Sequence, residues 1–228
     1  MILNETYTLS NSVKIPKLGL GTWFIEDGDA VTAIDGSLKK LGLETIDLML
    51  IHSPQPWDDF RGGDYAEGNR EAWRALEDAY KAGKLRAIGV SNFTEQDIKN
   101  ILHSCTVAPM VNQLLVHIGN TPTKLIEYCH SKNILVEAYS PIAHGEMLKN
   151  SKVTAMAAKY GMTVPQLCIR YALQIGTLPL PKTANPEHMQ SNARVDTEIS
   201  EADMDQLKEM NSIRDYGEYS AFPVFSGK

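Results

Sequence analysis

The sequence has little cysteine, and what it has is scattered. Cys105, Cys129 and Cys168 are odd in number, far apart and outside any C-x-x-C pair, which speaks against a disulfide framework and against a thiolate zinc site. No apolar run approaches the length needed to cross a bilayer, and the opening MILNETYTLSNSVKIP has no basic stretch followed by an apolar one. A reducing cytoplasm is therefore the expected setting. Like charges form no block: 22 Lys and Arg against 28 Asp and Glu leave a net charge of −6, which argues against nucleic-acid or anionic-membrane partners. No low-complexity stretch or linker interrupts the chain, and no ligand spacing implies a metal.

What is present is an ordinary globular composition. With 43% apolar residues in 228, the chain can bury a full core, and one domain over residues 1–228 is expected. "YTLSNSVKIP" alternates about a polar turn and reads as a hairpin, followed by the glycine-broken apolar segment "KLGLGTW". From Asp29, the positions Val31, Ile34, Leu38 and Leu41 fall at helical spacing.

Strand-like and helix-like runs then alternate. "TIDLMLIH" reads as a buried strand, and "REAWRALEDAYKAGK" as an amphipathic helix closed by Gly83. "LRAIGVSNF" precedes a helix opened by Thr94 as N-cap. "APMVNQLLV", "ILVEAYSP" and "LPLPKT" are further strands, with helices between and after them, including a pair joined near Gly161. Six main strands after the hairpin, each followed by helix, mean βαβ units and a parallel sheet.

Two architectures suit that pattern, a doubly wound sheet and a (β/α) barrel. The first should carry G-x-G-x-x-G after its first strand, and "GLGTWFIEDGD" does not provide it. A barrel gathers functional groups at the carboxyl ends of its strands. Polar residues stand at those ends here: Thr22 and Trp23, His52, Ser91 and Asn92, Asn112 and Gln113, Tyr139 and Ser140, Lys182 and Thr183. Taken alone, each has a bland reading. His52 is a hydrogen-bonded histidine at a strand end, Ser91 and Asn92 cap a helix, and Lys182 is a surface lysine beside a helix start.

In order, "LGLGTW", "DLMLIHSPQPW", "AIGVSNF", "VNQ", "EAYSPI" and "LPLPKT" resemble the aldo-keto reductases, most closely bacterial reductases of small ketones and sugar-derived keto acids. The resemblance covers nearly the whole chain. It implies a TIM-type barrel plugged by the N-terminal hairpin, and hydride transfer from NADPH to a small aldehyde or ketone, in a monomer or weak homo-oligomer. It implies that His52 is catalytic, orienting the carbonyl or relaying a proton. Cofactor contacts follow likewise: Thr22 near the cofactor, Ser91, Asn92 and Gln113 on the carboxamide, Tyr139 stacked on the nicotinamide with Ser140 beside it. Lys182 and Thr183 would take the 2′-phosphate, with His188 and Asn192 toward the adenine. Trp23 and Trp57 would face the substrate, Trp57 from the loop "DDFRGGDYAEGN". His103, His117, His130 and His144 have no such context and read as structural or solvated.

The chain departs from the family pattern in several places. His188 stands where an arginine is usual, Ser53 where a tryptophan often follows, and Leu115 where an acid is usual. The family's aspartate, tyrosine and lysine have no counterpart, because only 30 positions separate Thr22 from His52, enough for one helix and one strand. Two βα units are thus missing from the sequence as written, with the seam near Val31 and Thr32. Either the written chain joins separated parts of a longer reductase, or the deletion is genuine. Three functions remain open: a reductase, a family member that binds NADPH without turnover, and a phosphate-handling barrel isomerase or lyase, because a barrel alone fixes no chemistry.

Overall fold

The computed structural model describes residues 2–19, 30–210 and 212–225. Strands β1 (Thr6–Thr8) and β2 (Lys14–Pro16) form the expected antiparallel hairpin, with Tyr7 opposite Ile15. Asn11 closes its turn by accepting from the Val13 N–H at 3.1 Å, and its amide donates to the Arg86 carbonyl at 2.9 Å. The Tyr7 hydroxyl donates to the Thr177 carbonyl at 3.1 Å. Arg86 and Thr177 both precede sheet strands, so the hairpin is fastened across the amino end of the sheet.

That sheet holds β3 (Met49–Ile51), β4 (Ile88–Ser91), β5 (Val111–Leu115), β6 (Leu135–Tyr139) and β7 (Leu178–Leu180), all parallel and in chain order. A doubly wound sheet reverses its strand order at a switch point; an order that only steps forward is that of a barrel wall. The Gly19 N–H donates to the Pro179 carbonyl at 3.2 Å, so the segment after the hairpin sets out alongside β7. This is where the sixth expected strand, "KLGLGTW", begins. Gly21, Thr22 and Trp23 lie outside the described residues.

Helices flank the strands where apolar periodicity places them. Helix α1 (Ala30–Leu41) runs unbroken across Val31 and Thr32 and buries Ile34, while Leu41, expected on its apolar face, is 61% exposed. Helix α2 (Ala66–Lys81) buries Trp73 and Leu76 and ends at Gly83, whose φ of 77° admits a left-handed turn. Helix α3 (Glu95–Leu102) starts in a capping box between Thr94 and Asp97, and α4 (Thr123–Ser131) follows β5. Helices α5 (Glu146–Lys149), α6 (Ser151–Lys159) and α7 (Val164–Gln174) lie between β6 and β7. The last two helices are α8 (Pro186–Asn192) and α9 (Glu201–Lys208).

The core has two main clusters. One packs Trp73, Ile88, Val90, Ile98 and Val136 between sheet and helices; the other gathers Met147, Leu167, Tyr171, Met204 and Phe225. Strand β3 was expected to be buried, yet Met49, Leu50 and Ile51 are each half-buried. The reason is position: β3 pairs with β4 on one side, and among the described residues no strand pairs with its other side. No helix of the described residues is long and apolar enough to cross a membrane.

Candidate active site

The carboxyl ends of β3 to β7 open into a cavity of about 780 Å³. His52, Trp57, Asn92, Gln113, Tyr139, Ser140 and Lys182 all line it, so seven of the residues singled out by sequence meet at one place. Parallel pairing makes this possible. Gln113 lies level with Glu137, Leu115 with Tyr139, and Tyr139 with Leu180, so side chains at corresponding strand ends project to the same face.

Asn92 is the node of this face. Its φ of 62° is left-handed, a conformation asparagine tolerates better than most residues, and it turns the side chain back over the strand ends. The amide Nδ2 donates to the His52 carbonyl and to Ser91 Oγ, both at 3.1 Å. Its Oδ1 accepts from the Tyr139 hydroxyl at 2.7 Å, and its backbone N–H donates to the Gln113 carbonyl at 2.9 Å. Burial raises the Tyr139 phenol far above its ordinary pKa, with nearby Tyr216 adding to the effect. Tyr139 is a wall of the cavity and a donor to Asn92.

Gln113 donates from Nε2 to Glu137 at 2.8 Å. Glu137 is 5% exposed, and burial raises its carboxyl pKa while the Gln113 bond opposes the rise. Sequence reading passed over this carboxyl because it sits inside an apolar strand run. It also passed over the C-terminal segment. Tyr219, Phe222, Val224 and Phe225 line the cavity, and the Tyr216 hydroxyl is 2.9 Å from His117 Nε2. The density of aromatics in "YGEYSAFPVF" was the available signal.

His144, read as structural or solvated, also lines the cavity. Its ring stacks on Tyr219 at 4.1 Å between centroids, meets Phe225 edge-on at 4.6 Å, and has Nε2 3.1 Å from Ser140 Oγ. Burial, and then the charge of Lys182, lower its pKa. His117, by contrast, is structural as read. It is fully buried, its Nδ1 donates to the Ile118 carbonyl at 2.7 Å, and burial depresses its pKa to about 4.

Four other expected contacts stand outside the cavity. Ser91 is 1% exposed and donates its hydroxyl to the Gln113 carbonyl at 3.0 Å, bracing two strands. Thr183 Oγ1 accepts from the Asn185 N–H at 3.1 Å, and Asn185 itself caps Glu187 at 2.8 Å, so two N–H groups near the start of α8 are already satisfied. His188 is exposed on α8, and Asn192 is buried at its end.

Tyr65, at the start of α2, does not line the cavity. Its hydroxyl donates to Asp59 Oδ2 at 2.5 Å, and that bond raises its pKa. No group of three or more metal-ligating side chains occurs among the described residues.

The lining has the chemistry that the nicotinamide end of a dinucleotide calls for. An aromatic ring at Tyr139, amides at Asn92 and Gln113, and apolar Leu48 and Leu50 surround the cavity, with the Lys182 ammonium at its rim.

A barrel wall with such a site at its carboxyl ends defines a TIM-type α/β protein, and comparison settles the family. Residues 25–212 match the model of the aldo/keto reductase family, and the chain belongs to that family. It is 42% identical over 180 residues to an uncharacterized oxidoreductase of Schizosaccharomyces pombe, covering 78% of this chain and 61% of that one. It is 38% identical over 192 residues to the glyoxal reductase of Bacillus subtilis, covering 83% and 66%. The chain thus spans under two thirds of the length of these relatives.

A Trypanosoma cruzi 9,11-endoperoxide prostaglandin H2 reductase is 30% identical over 275 residues, covering 92% of this chain and 93% of its own. That alignment is longer than the 228 residues present here, so it contains positions with no counterpart in this chain. Among solved structures, a Bombyx mori aldo-keto reductase in complex with NADP superposes with a TM-score of 0.81 at 24% identity, covering 99% and 100% of the two chains. That likeness fixes the fold.

Proposed function

We propose that the chain binds NADPH across the carboxyl ends of β3 to β7 and reduces a small aldehyde or ketone to the alcohol. The observation that carries this reading is the convergence of His52, Asn92, Gln113, Tyr139 and Lys182 on one cavity. The glyoxal reductase among the relatives and the NADP-bound Bombyx mori structure support it. When bound, reduced nicotinamide supplies a hydride to a carbonyl carbon.

The chain's own residues do the rest. Asn92 and Gln113 flank the position for a carboxamide, and the Tyr139 ring gives an apolar face against which a flat ring is held. Lys182, exposed at the rim, offers a point charge to a phosphate, with Thr183, His188 and Asn192 beyond it on the adenosine side. Thr22 and Trp23 keep their proposed places beside cofactor and substrate. Trp57 packs against the substrate. The carbonyl oxygen must also gain a proton. The Tyr139 hydroxyl is engaged by Asn92, so the imidazole of His52 is the group assigned to donate it. One domain over residues 1–228 belongs to the same proposal, supported by Ile175, which packs against both core clusters. So does a reducing, cytoplasmic setting, supported by three free cysteines.

A second reading has its own observation. The alignment with the Trypanosoma cruzi relative runs longer than this chain, which supports reading the family's aspartate, tyrosine and lysine as absent between Thr22 and His52, and with it a protein that binds NADPH without turning it over. Mixing the protein with NADPH and glyoxal separates the two. Loss of the near-ultraviolet absorbance of the reduced nicotinamide marks a reductase, and a drop of about 10²–10⁴-fold in His52→Ala marks that residue as the proton donor. Tryptophan quenching by NADPH with no absorbance loss supports the second reading, and no quenching overturns both.

A further inference from the structure

Arg61 lies in the segment between β3 and α2, and nothing in the proposed chemistry uses it. Its backbone has φ 65°, which arginine seldom adopts, and its N–H donates to Gln55 Oε1, folding residues 55–61 back on themselves. From that turn the guanidinium crosses to the junction of β4 and α3. Nη1 donates to Asp97 Oδ2 at 2.8 Å, and Nη2 to the Asn92 carbonyl at 2.9 Å. The acceptors are rigidly placed: Asp97 also accepts from the Thr94 N–H at 2.8 Å as part of the capping box of α3, and Asn92 is the node that joins the strand ends.

The other side of Arg61 leads into the cavity through a file of rings. Its guanidinium carbon sits 4.8 Å from the centre of Phe60, Phe60 stacks on Trp57 at 5.4 Å, and Trp57 meets His52 edge-on at 5.6 Å. Trp57 is 37% exposed and lies in a single turn of 3-10 helix, Trp57–Asp59, too short to fix a side chain by itself. The pair with Asp97 is more sheltered than most ion pairs of this protein, at 30% and 17% side-chain exposure, so solvent screens it less.

We propose that Arg61 is a positioning residue: by clamping residues 53–65 onto Asn92 and Asp97 it holds Trp57 as the cavity wall beside His52. The proposal rests on the reading of that cavity as the substrate site. It requires the guanidinium in particular, because a planar fork reaches two acceptors at once where an ammonium serves as a point charge. Loss of the clamp frees the wall while leaving β5 to β7 and Lys182 in place, so binding of a carbonyl compound weakens more than binding of NADPH, which loses only the brace on Asn92.

Chymotrypsin tests the clamp directly, since Trp57, Phe60 and Tyr65 are cleavage sites within the segment and Arg61 is not. Cleavage between residues 57 and 65 should accelerate about tenfold in Arg61→Ala, the effect of losing two charge-assisted bonds on a local opening equilibrium, with Arg61→Lys between the two. Arg86→Ala, which removes a surface ion pair to Asp47, should leave cleavage at the wild-type rate. In turnover of glyoxal, Arg61→Ala should raise KM severalfold more than it lowers kcat, and should weaken NADPH affinity, read by tryptophan quenching, less than it raises that KM. Should Arg61→Ala lose its native circular dichroism, Asp97→Asn takes its place, keeping an acceptor for Thr94 while discharging the partner of Arg61. Equal cleavage rates in wild type and the variant overturn the clamp. A cleavage difference without any glyoxal turnover in wild type leaves the clamp standing and overturns the reductase reading instead.

Discussion

The hydroxyl of Tyr139 donates a 2.7 Å hydrogen bond to Asn92 Oδ1, tying β6 to the end of β4 across the intervening β5. Because the same asparagine amide reaches the His52 carbonyl, the bond helps hold three strand ends in one arrangement. Tyr139→Phe keeps the ring and removes the donor, leaving Oδ1 unpaired in a largely buried place. Such a loss costs about 1 kcal/mol, or about 2–4 °C in Tm for a chain of this length. Thermal unfolding of the variant measures it, and an unchanged Tm would show that the bond contributes nothing in solution.

What sequence revealed and what it hid divide along local and non-local lines. The capping role of Thr94, the turns at Gly83 and Gly161 and the hairpin were legible because each depends on residues within a few positions. The strand-end residues facing the cavity were legible because parallel strands share a direction. Burial of β3 was misjudged because a strand's burial depends on neighbours on both sides, and "TIDLMLIH" cannot show that one is absent among the described residues. Ser91 and Asn92 read as a pair, yet the Ser91 hydroxyl is taken up by the Gln113 carbonyl and the Asn92 amide while Asn92, left-handed past the strand end, lines the cavity. His144 and the 216–225 segment were missed because their contacts join residues over seventy positions apart.

His117 makes stability depend on acidity. Its Nδ1 donates to a carbonyl, so in the neutral ring Nε2 accepts from the Tyr216 hydroxyl, and protonation breaks that arrangement. With a folded pKa of about 4 against about 6.5 unfolded, the unfolded chain binds more protons between these values. Stability from this group is complete above pH 6.5, falls as pH drops through the window, and stops falling below about 4. The full effect is about 3 kcal/mol, of which about 2 is lost by pH 5. His117→Gln should be less stable at pH 7 but should lack this part of the acid sensitivity, as urea unfolding at pH 7 and pH 5 would measure. An equal drop in both proteins would place the acid sensitivity elsewhere.

Gly89 is required in the middle of β4. A methyl group there would lie 2.6 Å from the Val111 carbonyl oxygen and 2.7 Å from a Leu50 methyl, and the first of these belongs to a backbone locked in the next strand. Gly89→Ala should cost about 1–3 kcal/mol through overpacking, despite the better strand propensity of alanine. Denaturant titration measures it. Because Leu50 also lines the cavity, cofactor quenching should weaken in the same variant.

Lys182 should set the choice between NADPH and NADH. Its ammonium stands at the cavity rim with Thr183 following, and a 2′-phosphate gains from it a charge-assisted contact that a bare ribose hydroxyl cannot make. The lysine is exposed, so the contact is screened, and Lys182→Ala should lower the NADPH/NADH affinity ratio by about fivefold, the value of about 1 kcal/mol at an exposed site. His188 offers the opposite test. It lies exposed on α8 outside the cavity, and an arginine there would bring a permanent charge and a planar stacking surface. His188→Arg should raise the ratio at pH 8 by about two- to fivefold. Tryptophan quenching titrations with both cofactors measure the ratios. A ratio unchanged in His188→Arg but lowered in Lys182→Ala would mean that α8 points away from the phosphate and that Lys182 carries the preference. A ratio unchanged in both would overturn the placement of the adenosine half beside β7.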